Sequence, residues 1–285
     1  MIITISGSTG FIGQALRRKI RAREWEIRII DRNSLALPDA EFGEKMIEGT
    51  DVVINLAGAP VAERWTESHK KLIRESRINT TRKITKSILS AVHKPSLFIS
   101  QSSIGIYDSL HIHKESSSDF ADDFLATLCR EWENEALAAQ SVTRVAIFRT
   151  GLVLGRDGGF LEKLYLPFSI GLGGRVGDGK QSMSFIHIDD LVNAYLFVIE
   201  HPDLSGIINA VSPFPTTNEE FTDKFGKVLK QPTWLPIPTV LLRIRLGEGA
   251  KILLEGQKVF PEKLEKAGFR FLYPTVQNAL VKIFS

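Results

Sequence analysis

The sequence predicts an α/β protein with a doubly wound parallel sheet, followed by a small α-rich lobe at its C-terminal end. Short β-branched segments alternate with segments of helical apolar spacing through the first two-thirds of the chain, which is typical of βαβ units. After about Gly155 this alternation gives way to a glycine-rich stretch and then to short segments punctuated by proline. We therefore assign residues 1–200 to the larger domain, with a loop between the lobes at 155–180, and residues 201–285 to the small lobe.

Length and composition are those of a globular chain. The 285 residues are 43% hydrophobic and 24% charged, with a formal net charge of +3. This composition excludes a disordered chain, and no apolar stretch approaches the roughly 18 residues of a membrane span. No block of basic residues indicates a nucleic-acid partner. Because the single cysteine, Cys129, excludes a disulfide within the chain and the pattern predicts a strand from residue 2 onward, we expect a cytoplasmic protein without a metal site.

The predicted elements alternate in type along the chain. Ile2–Ser6 is a short β-branched strand, and Phe11–Glu24 has apolar residues at helical spacing. The other predicted strands and helices are Ile27–Ile30, Val52–Leu56, Thr66–Val92, Leu97–Ser100, Asp122–Ala139, Val145–Arg149 and Asp189–Glu200. We expect one break in the highly charged Thr66–Val92 helix. Asp31–Thr50 should hold a short strand or none, because about 20 residues leave little room for a full crossover.

A glycine-rich turn between the first strand and the first helix is the strongest functional motif. It consists of Gly7, Ser8, Thr9, Gly10, Phe11, Ile12 and Gly13. Glycines at this spacing permit a tight turn and let backbone N–H groups approach a pyrophosphate, and the helix that follows points its positive end at the same place. The position of the turn between a strand and a helix therefore predicts a dinucleotide site in a Rossmann-like fold.

Two charged residues end the second strand, about 20 residues beyond the turn. An acidic residue there can bind the ribose 2′-hydroxyl of NAD, and an arginine can accept the 2′-phosphate of NADP. Asp31 and Arg32 offer both possibilities. The residues alone leave the cofactor open, and a pair of solvated charges is the alternative interpretation.

Together these motifs resemble the extended short-chain dehydrogenase/reductases, which include NAD-dependent sugar epimerases and dehydratases. The resemblance rests on the glycine turn, on Asn55-Leu56-Ala57-Gly58 and on Ser102-Ser103-x-x-x-Tyr107. Further motifs resemble one epimerase-like subgroup with a C-terminal domain of unknown function; they include Cys129-Arg130-x-Trp132-Glu133, Arg149-Thr150-Gly151 and Gly256-Gln257. The resemblance covers essentially the whole chain. It implies an NAD(P)-dependent oxidoreductase or epimerase-like protein acting on a small carbonyl or hydroxyl substrate.

The resemblance also implies the cofactor contacts. The glycine turn would hold the pyrophosphate, while Asp31 and Arg32 would meet the adenosine ribose. The further residues implied to contact the cofactor are Leu56, Ala57 and Gly58 on the adenine side, Arg77 beside the cofactor, and Val153 at the nicotinamide end. The resemblance favours NADP, with NAD as the alternative because an acidic residue precedes Arg32.

The catalytic residues of the family are missing. The family uses Tyr-x-x-x-Lys, in which the lysine lowers the pKa of the tyrosine and the tyrosine moves the proton. Leu125 and Cys129 stand at those two places, whereas Ser103 stands where the family has its substrate-binding serine. Tyr107 or His187 could supply the proton, the chemistry could need no tyrosine, or the protein could bind a dinucleotide without catalysis. We take Ser103 and Tyr107 as the candidate catalytic residues.

A residue at the substrate-binding position also departs from the family pattern. Nucleotide-sugar enzymes of this type bind the substrate diphosphate with an arginine, and Met183 occupies that position here. A thioether cannot pair with a phosphate, so a nucleotide sugar is not supported, although Lys180 or Arg175 could substitute. We expect a small-molecule substrate between the two lobes. A non-catalytic dinucleotide sensor or partner-binding protein is the alternative function, and the sequence leaves the substrate and the oligomeric state open.

Overall fold

A computed structural model describes residues 1–285 and confirms the predicted α/β fold. The strands are β1 (Ile2–Ser6), β2 (Glu26–Ile30), β3 (Val52–Asn55), β4 (Leu97–Ser103), β5 (Ile112–His113), β6 (Arg144–Thr150), β7 (Leu152–Leu154), β8 (Ser182–Met183), β9 (Phe185–His187), β10 (Gly206–Ala210), β11 (Thr216–Thr217) and β12 (Lys258–Val259). The helices are α1 (Phe11–Arg21), α2 (Arg32–Ala36), α3 (Asp39–Phe42), α4 (Glu67–Ser90), α5 (Phe124–Leu137), α6 (Gly159–Ser169), α7 (Ile188–Glu200), α8 (Asn218–Leu229), α9 (Thr239–Leu246), α10 (Lys251–Leu254), α11 (Glu262–Lys266) and α12 (Val276–Phe284).

The central sheet has six parallel strands in the order β10-β6-β4-β3-β1-β2. Its inner strands carry near-continuous apolar runs because helices cover both faces of the sheet. After β1 the chain moves to one side to form β2 and then crosses back to form β3 on the other side. The carboxyl ends of β1 and β3 therefore border a switch point, which is where ligands bind in open α/β sheets.

Two helical layers cover the sheet. On one face α1 and α7 pack into a core that includes Leu16, Leu191 and Tyr195, and the Tyr195 ring stacks on Phe148 of β6 at 4.3 Å between centroids. On the other face α4 and α5 pack over Phe98 and its buried neighbours. No helix of the structure combines the length and the apolar character that a bilayer crossing requires.

The structure differs from the predicted elements in one helix. The predicted break in Thr66–Val92 is wrong, because Glu67–Ser90 is a single helix that begins where the Thr66 hydroxyl accepts the His69 N–H. No glycine or proline interrupts it, and most of its charged residues lie on the solvent side while Ile73, Ile84 and Ile88 are buried. The region Asp31–Thr50 forms short helical turns and no strand, as predicted, so β2 is an edge of the sheet.

The last strand of the sheet comes from residues that the sequence pattern assigns to the small lobe. β10 pairs with β6 in parallel, from Gly206 opposite Ala146 to Ala210 opposite Thr150. The central sheet thus takes one strand from beyond residue 200. The remaining C-terminal residues form α8 to α12, and α8 and α12 pack with α6 around Phe168, Phe225 and Leu280.

A buried polar network joins β4, α5 and β6 below the carboxyl edge of the sheet. The Arg149 guanidinium donates two hydrogen bonds to Glu133, at 2.9 and 2.7 Å. The Ser102 hydroxyl donates to Glu133 at 2.6 Å, and Arg149 Nη1 donates to the Tyr107 hydroxyl at 2.9 Å. Arg149 and Glu133 are each only 5% exposed. Removal of one partner therefore leaves an uncompensated buried charge.

We predict that Glu133→Ala lowers the free energy of unfolding by about 3–5 kcal/mol, because Arg149 would lose its only carboxylate in a buried setting. Glu131 on the same helix is a matched control, since its ion pair with Arg74 is 40–51% exposed. Glu131→Ala should cost about 0–1 kcal/mol. Urea denaturation of both variants checks this, and equal losses would contradict it.

Candidate functional site

The glycine turn is shaped by close backbone contacts at its two ends. Gly7 has φ of +66°, and a Cβ there would lie 2.7 Å from the backbone of Leu56. A Cβ at Gly13 would lie 2.3 Å from the Gly7 carbonyl oxygen. Both glycines are thus required by packing, because they let β1, α1 and the loop after β3 meet without side chains between them.

Gly10 is different, because the protein itself leaves room there. Its φ of −74° is ordinary for any residue, and a Cβ at this position would have only the Gly7 oxygen within 4 Å, at 3.4 Å. Gly10 is also exposed and begins α1 without any side-chain cap. The first N–H groups of α1 therefore face outward, which is the arrangement that binds a phosphate.

Asp31 and Arg32 lie at the carboxyl end of the edge strand β2, and both are exposed. The Asp31 carboxylate caps α2 by accepting the Ser34 N–H at 2.8 Å and the Ser34 hydroxyl at 2.7 Å. These hydrogen bonds hold the pKa of Asp31 below its usual value. Arg32 follows directly as the first residue of that helix, so the carboxylate is engaged while the guanidinium is free in solvent.

The loop after β3, which contains Leu56, Ala57 and Gly58, lies beside the turn. The Leu56 and Ala57 N–H groups donate to the Ser6 hydroxyl at 3.2 and 3.3 Å. Gly58 lies against the side chain of Arg77, since a Cβ at Gly58 would be 2.7 Å from Arg77 Cζ. The turn, this loop and Arg77 therefore form one continuous surface at the carboxyl edge of the sheet.

A cavity of about 350 Å³ separates this edge from the small lobe. Its sheet side is formed by the ends of β4 and β6, by β7 and by α5, through Gln101, Ser102, Ser103, Leu125, Cys129, Trp132, Thr150 and Val153. Its lobe side is mostly apolar and includes Phe168, Met183, Phe221, Ile252 and Leu253. The cleft between the lobes that the sequence predicts is thus a cavity with an apolar far wall.

Ser103 lines the cavity and has a free proton to donate. Its hydroxyl oxygen accepts the Gly105 N–H at 3.1 Å and donates to no other group of the protein. Leu125 packs against the neighbouring Gly105, since a Cβ on Gly105 would lie 2.5 Å from Leu125 Cδ2 and 3.4 Å from Ser103 Oγ. Cys129 lines the same wall, and burial raises the pKa of its thiol to about 12. The Leu125 side chain has no ionisable proton, and the Cys129 thiol stays neutral. The Ser103 hydroxyl is therefore the group on this side that can donate a hydrogen bond to a ligand.

Tyr107 lies in the core and not in the cavity, against the expectation from the sequence. It is fully buried, its ring stacks on His113, and its hydroxyl bonds Arg149 and Asn209. The 3₁₀ turn Ile104–Ile106 redirects the chain so that Tyr107 points below the sheet edge. His187 is also removed from the cavity, because it caps α7 and packs on Tyr273, and burial lowers its pKa to about 4.

The lobe side offers little to a diphosphate. Met183, which stands at the family's arginine position, lines the cavity. Arg175 is exposed and paired with Glu219 at 2.7 Å, and Lys180 lies outside the cavity. Lys251 reaches the cavity, but it lies 3.9 Å from the Asp123 carboxylate. No group of three or more His, Cys, Asp or Glu side chains could hold a metal ion.

The aromatic walls of the cavity are not among the residues predicted from the sequence. Trp65 and Trp132 both line the cavity and belong to one buried cluster with Leu128. Trp65 makes an edge contact to Phe124 at 5.2 Å, and the Arg77 guanidinium lies over the Trp132 ring. Trp132 stands three residues after Cys129 on α5, and this spacing places both on one face of a helix. The spacing from Cys129 could therefore have predicted that Trp132 lines the cavity. No comparable local pattern predicts the position of Trp65.

A glycine turn at the switch point of a parallel sheet, with a substrate-sized cavity beside it, is the arrangement of an extended short-chain dehydrogenase/reductase. Residues 3–210 match the model of the NAD dependent epimerase/dehydratase family, and residues 237–283 match a domain of unknown function, DUF1731. The chain belongs to the NAD dependent epimerase/dehydratase family.

Relatives of the same subgroup are similar over nearly the whole chain. An epimerase family protein of Mycobacterium leprae is 39% identical over 98% of this chain and 94% of its own length. The chloroplastic SDR39U1 homolog of Arabidopsis thaliana is 37% identical over 98% of this chain and 86% of its own length. The crystal structure of the human epimerase family protein SDR39U1, described with NADPH, has a TM-score of 0.93 at 32% identity and covers 99% of both chains.

We predict that Gly10→Val abolishes most dinucleotide affinity and leaves the fold intact, because the new side chain enters ligand space and not the protein. Gly13→Val is the matched contrast, since its Cβ would collide with the Gly7 oxygen and lower the melting temperature. Thermal unfolding and calorimetric titration with NADPH separate the two effects. Parental affinity in Gly10→Val would show that the turn is not the binding site.

Proposed function

We propose that the chain is an NADP(H)-dependent oxidoreductase or epimerase-like enzyme acting on a small, largely apolar compound with a carbonyl or hydroxyl group. One observation carries the proposal: the uncapped glycine turn lies at the same carboxyl edge of the sheet as a cavity whose sheet side holds a free serine hydroxyl. A bound nicotinamide would supply or accept a hydride there. Binding and orienting the substrate is left to the protein's own side chains.

The character of the cavity supports the substrate class. Its lobe side is mostly apolar, its polar residues there include the uncharged Gln181, Asn218 and Gln257, and no unpaired cation faces it from that side. A nucleoside diphosphate carries charges that require such cations. A compact apolar compound instead gains from burial against Phe168 and Leu253. Its polar group is then left to face the sheet side, where Ser103 and Gln101 lie.

Ser103 is proposed to bind the substrate oxygen. Because its oxygen already accepts the Gly105 N–H, the hydroxyl is oriented and its proton remains free to donate. A hydrogen bond aimed at the oxygen on which negative charge develops stabilises the transition state more than the ground state. No tyrosine stands beside it, so a proton for that oxygen has to come from water in the cleft.

A non-catalytic dinucleotide sensor is the second candidate function. The observation that favours it is the pair Leu125 and Cys129, neither of which exchanges a proton at neutral pH. A screen of carbonyl compounds by cofactor oxidation, run beside thermal-shift titrations with NAD(H) and NADP(H), distinguishes the two. Cofactor binding without turnover on any compound supports the sensor, and turnover supports the enzyme.

We predict that the chain binds NADPH more tightly than NADH, because the Asp31 carboxylate is engaged with Ser34 and Arg32 is free to meet a 2′-phosphate. Arg32→Gln should weaken NADPH binding by about 10-fold, the scale of one charge-assisted hydrogen bond, and leave NADH unchanged. Asp31→Ser keeps a helix cap and removes a negative charge, so it should strengthen NADPH binding. Calorimetry with both cofactors measures this, and a parental preference for NADH would show that Asp31 dominates.

For any substrate that the screen identifies, Ser103→Ala should lower kcat roughly 10- to 1000-fold, the scale of losing one transition-state hydrogen bond. Cys129→Ala is the matched control on the same wall and should leave kcat nearly unchanged. Tyr107→Phe should act on thermal stability and not on kcat, because its hydroxyl serves the buried network. Loss of activity in Cys129→Ala with full activity in Ser103→Ala would require a thiol mechanism instead.

A further inference from the structure

Exposed apolar side chains are concentrated on two short segments of the chain, one in α6 and the loop after it, the other in α9 and the loop before it. Nine of the twenty exposed large hydrophobic residues of the protein lie within residues 165–172 and 234–244. The most exposed of the nine is Trp234, at 77%. A single exposed apolar residue is ordinary, but a cluster of them marks a surface that contacts something other than water. We call residues 165–172 and 234–244 the apolar face.

Backbone contacts hold the two loops of the apolar face together. The Ile237 N–H donates to the Arg175 carbonyl at 2.7 Å. Gly174 has no room for a side chain, because a Cβ there would lie 1.6 Å from the Leu235 carbonyl oxygen. The loop after α6 therefore runs beside the loop before α9, and the exposed apolar side chains of the two loops are neighbours at the surface.

Helix α9 presents apolar side chains to solvent. Its inward side is marked by Leu242, which lines the cavity. Because successive residues of an α-helix are about 100° apart, Val240, Ile244 and Leu241 lie next to one another on the opposite side. These three side chains are 59–66% exposed. The arrangement is the reverse of an ordinary surface helix, whose apolar side faces the core and whose polar side faces water.

The charges of this region have one sign. Arg243 and Arg245 are exposed, and the helical spacing places them at the two borders of the outward apolar stripe of α9. From residue 224 to residue 247 the chain has five basic residues and no acidic one. Asp223 and Glu248, the acidic residues on either side of this stretch, are already paired with lysines at 2.8 and 2.6 Å. A matching partner is therefore both apolar and anionic.

An anionic lipid bilayer meets both requirements. Apolar side chains of an interfacial helix enter the boundary between headgroups and acyl chains, and arginines at its borders meet the negative headgroups. Tryptophan is well suited to that boundary, because its ring is apolar and its N–H is polar. A second copy of the chain is a poorer match. A symmetric contact would bring the arginines of two α9 helices together without a free carboxylate from this stretch.

We propose that the apolar face docks the protein on the surface of an anionic lipid bilayer, with α9 in the plane of the interface and Trp234 inserted beside it. Such docking involves the surface alone and needs no spanning helix. It goes beyond the proposed function and does not depend on it. It concerns the outer side of a segment whose inner side, through Ile237 and Leu242, lines the cavity.

Co-sedimentation of the full chain with vesicles tests the proposal without any cofactor. The parent should bind vesicles of equal parts phosphatidylcholine and phosphatidylserine, and bind pure phosphatidylcholine vesicles much more weakly. Arg243→Gln combined with Arg245→Gln should weaken binding to the anionic vesicles roughly 30-fold, because two charges near the headgroups are lost. Val240→Gln, Leu241→Gln and Ile244→Gln together should weaken it roughly 10- to 100-fold.

The matched control lies on another exposed helix surface. Leu72→Gln combined with Leu89→Gln replaces two leucines of α4 that are 52% and 41% exposed, and it should bind the vesicles like the parent. The melting temperature of each variant checks folding. Tryptophan emission is an independent readout, since Trp234 is exposed in the free protein. The emission should shift to the blue when anionic vesicles are added, and this shift should be absent in Trp234→Phe.

Three results overturn the proposal: a parent that does not bind the anionic vesicles, a parent that binds both kinds of vesicle equally, and a triple glutamine variant of α9 that binds like the parent. A parent that is dimeric by light scattering, becomes monomeric in that variant and binds no vesicles also overturns it, because the face then contacts a second copy. If the triple variant fails to fold, the arginine variant and the Trp234 emission decide. A blue shift that persists in Trp234→Phe places the contact elsewhere.

Discussion

The close backbone approach between the turn after β1, the first turn of α1 and the loop after β3 is the constraint on which the site depends. Two glycines allow it, because a side chain at Gly7 or Gly13 would overlap backbone atoms at 2.7 or 2.3 Å. This approach brings the uncapped start of α1 to the switch point of the sheet. The Leu56–Gly58 loop is thereby placed beside the turn, and Gly58 in turn sets the position of Arg77. One packing contact thus aligns the start of α1, the Leu56–Gly58 loop and Arg77 along the same edge of the cleft.

A second constraint holds the opposite side of the cleft. The Arg149–Glu133 pair ties α5 to β6, and Ser102 joins β4 to the same carboxylate. Ser102 and Ser103 are neighbours on β4, so their side chains lie on opposite faces of the strand. Ser102 bonds inward to the network while Ser103 faces the cavity. The buried network therefore fixes the strand end that presents Ser103, and it takes up the hydroxyl of Tyr107, which is why that residue is not available to a ligand.

The fold and the glycine turn can be predicted because their signals are local. A strand, three glycines and an amphipathic helix follow one another within a few residues, and alternating segments indicate a parallel sheet. The failures involve partners that are distant in the chain. β10 is a strand because it pairs with β6, and Tyr107 is buried because it meets Arg149 and Asn209. The frequent charged residues between Thr66 and Val92 suggest that the helix is interrupted. The buried residues nevertheless form one continuous face along α4.

The titratable side chains in and around the cleft do not change their protonation state near neutral pH. Arg77 keeps its charge until the pH approaches its pKa of about 10, and the Cys129 thiol, with a pKa of about 12, keeps its proton even longer. His187, whose pKa is lowered to about 4, faces away. The wall around Ser103 thus carries a fixed positive charge and a hydroxyl with an oriented proton, and neither acts as a base at neutral pH. Such a wall stabilises negative charge on a ligand oxygen without removing a proton from it. Under the proposed function this wall serves carbonyl reduction and alcohol oxidation alike, because both directions pass through one transition state and exchange the proton of that oxygen with water.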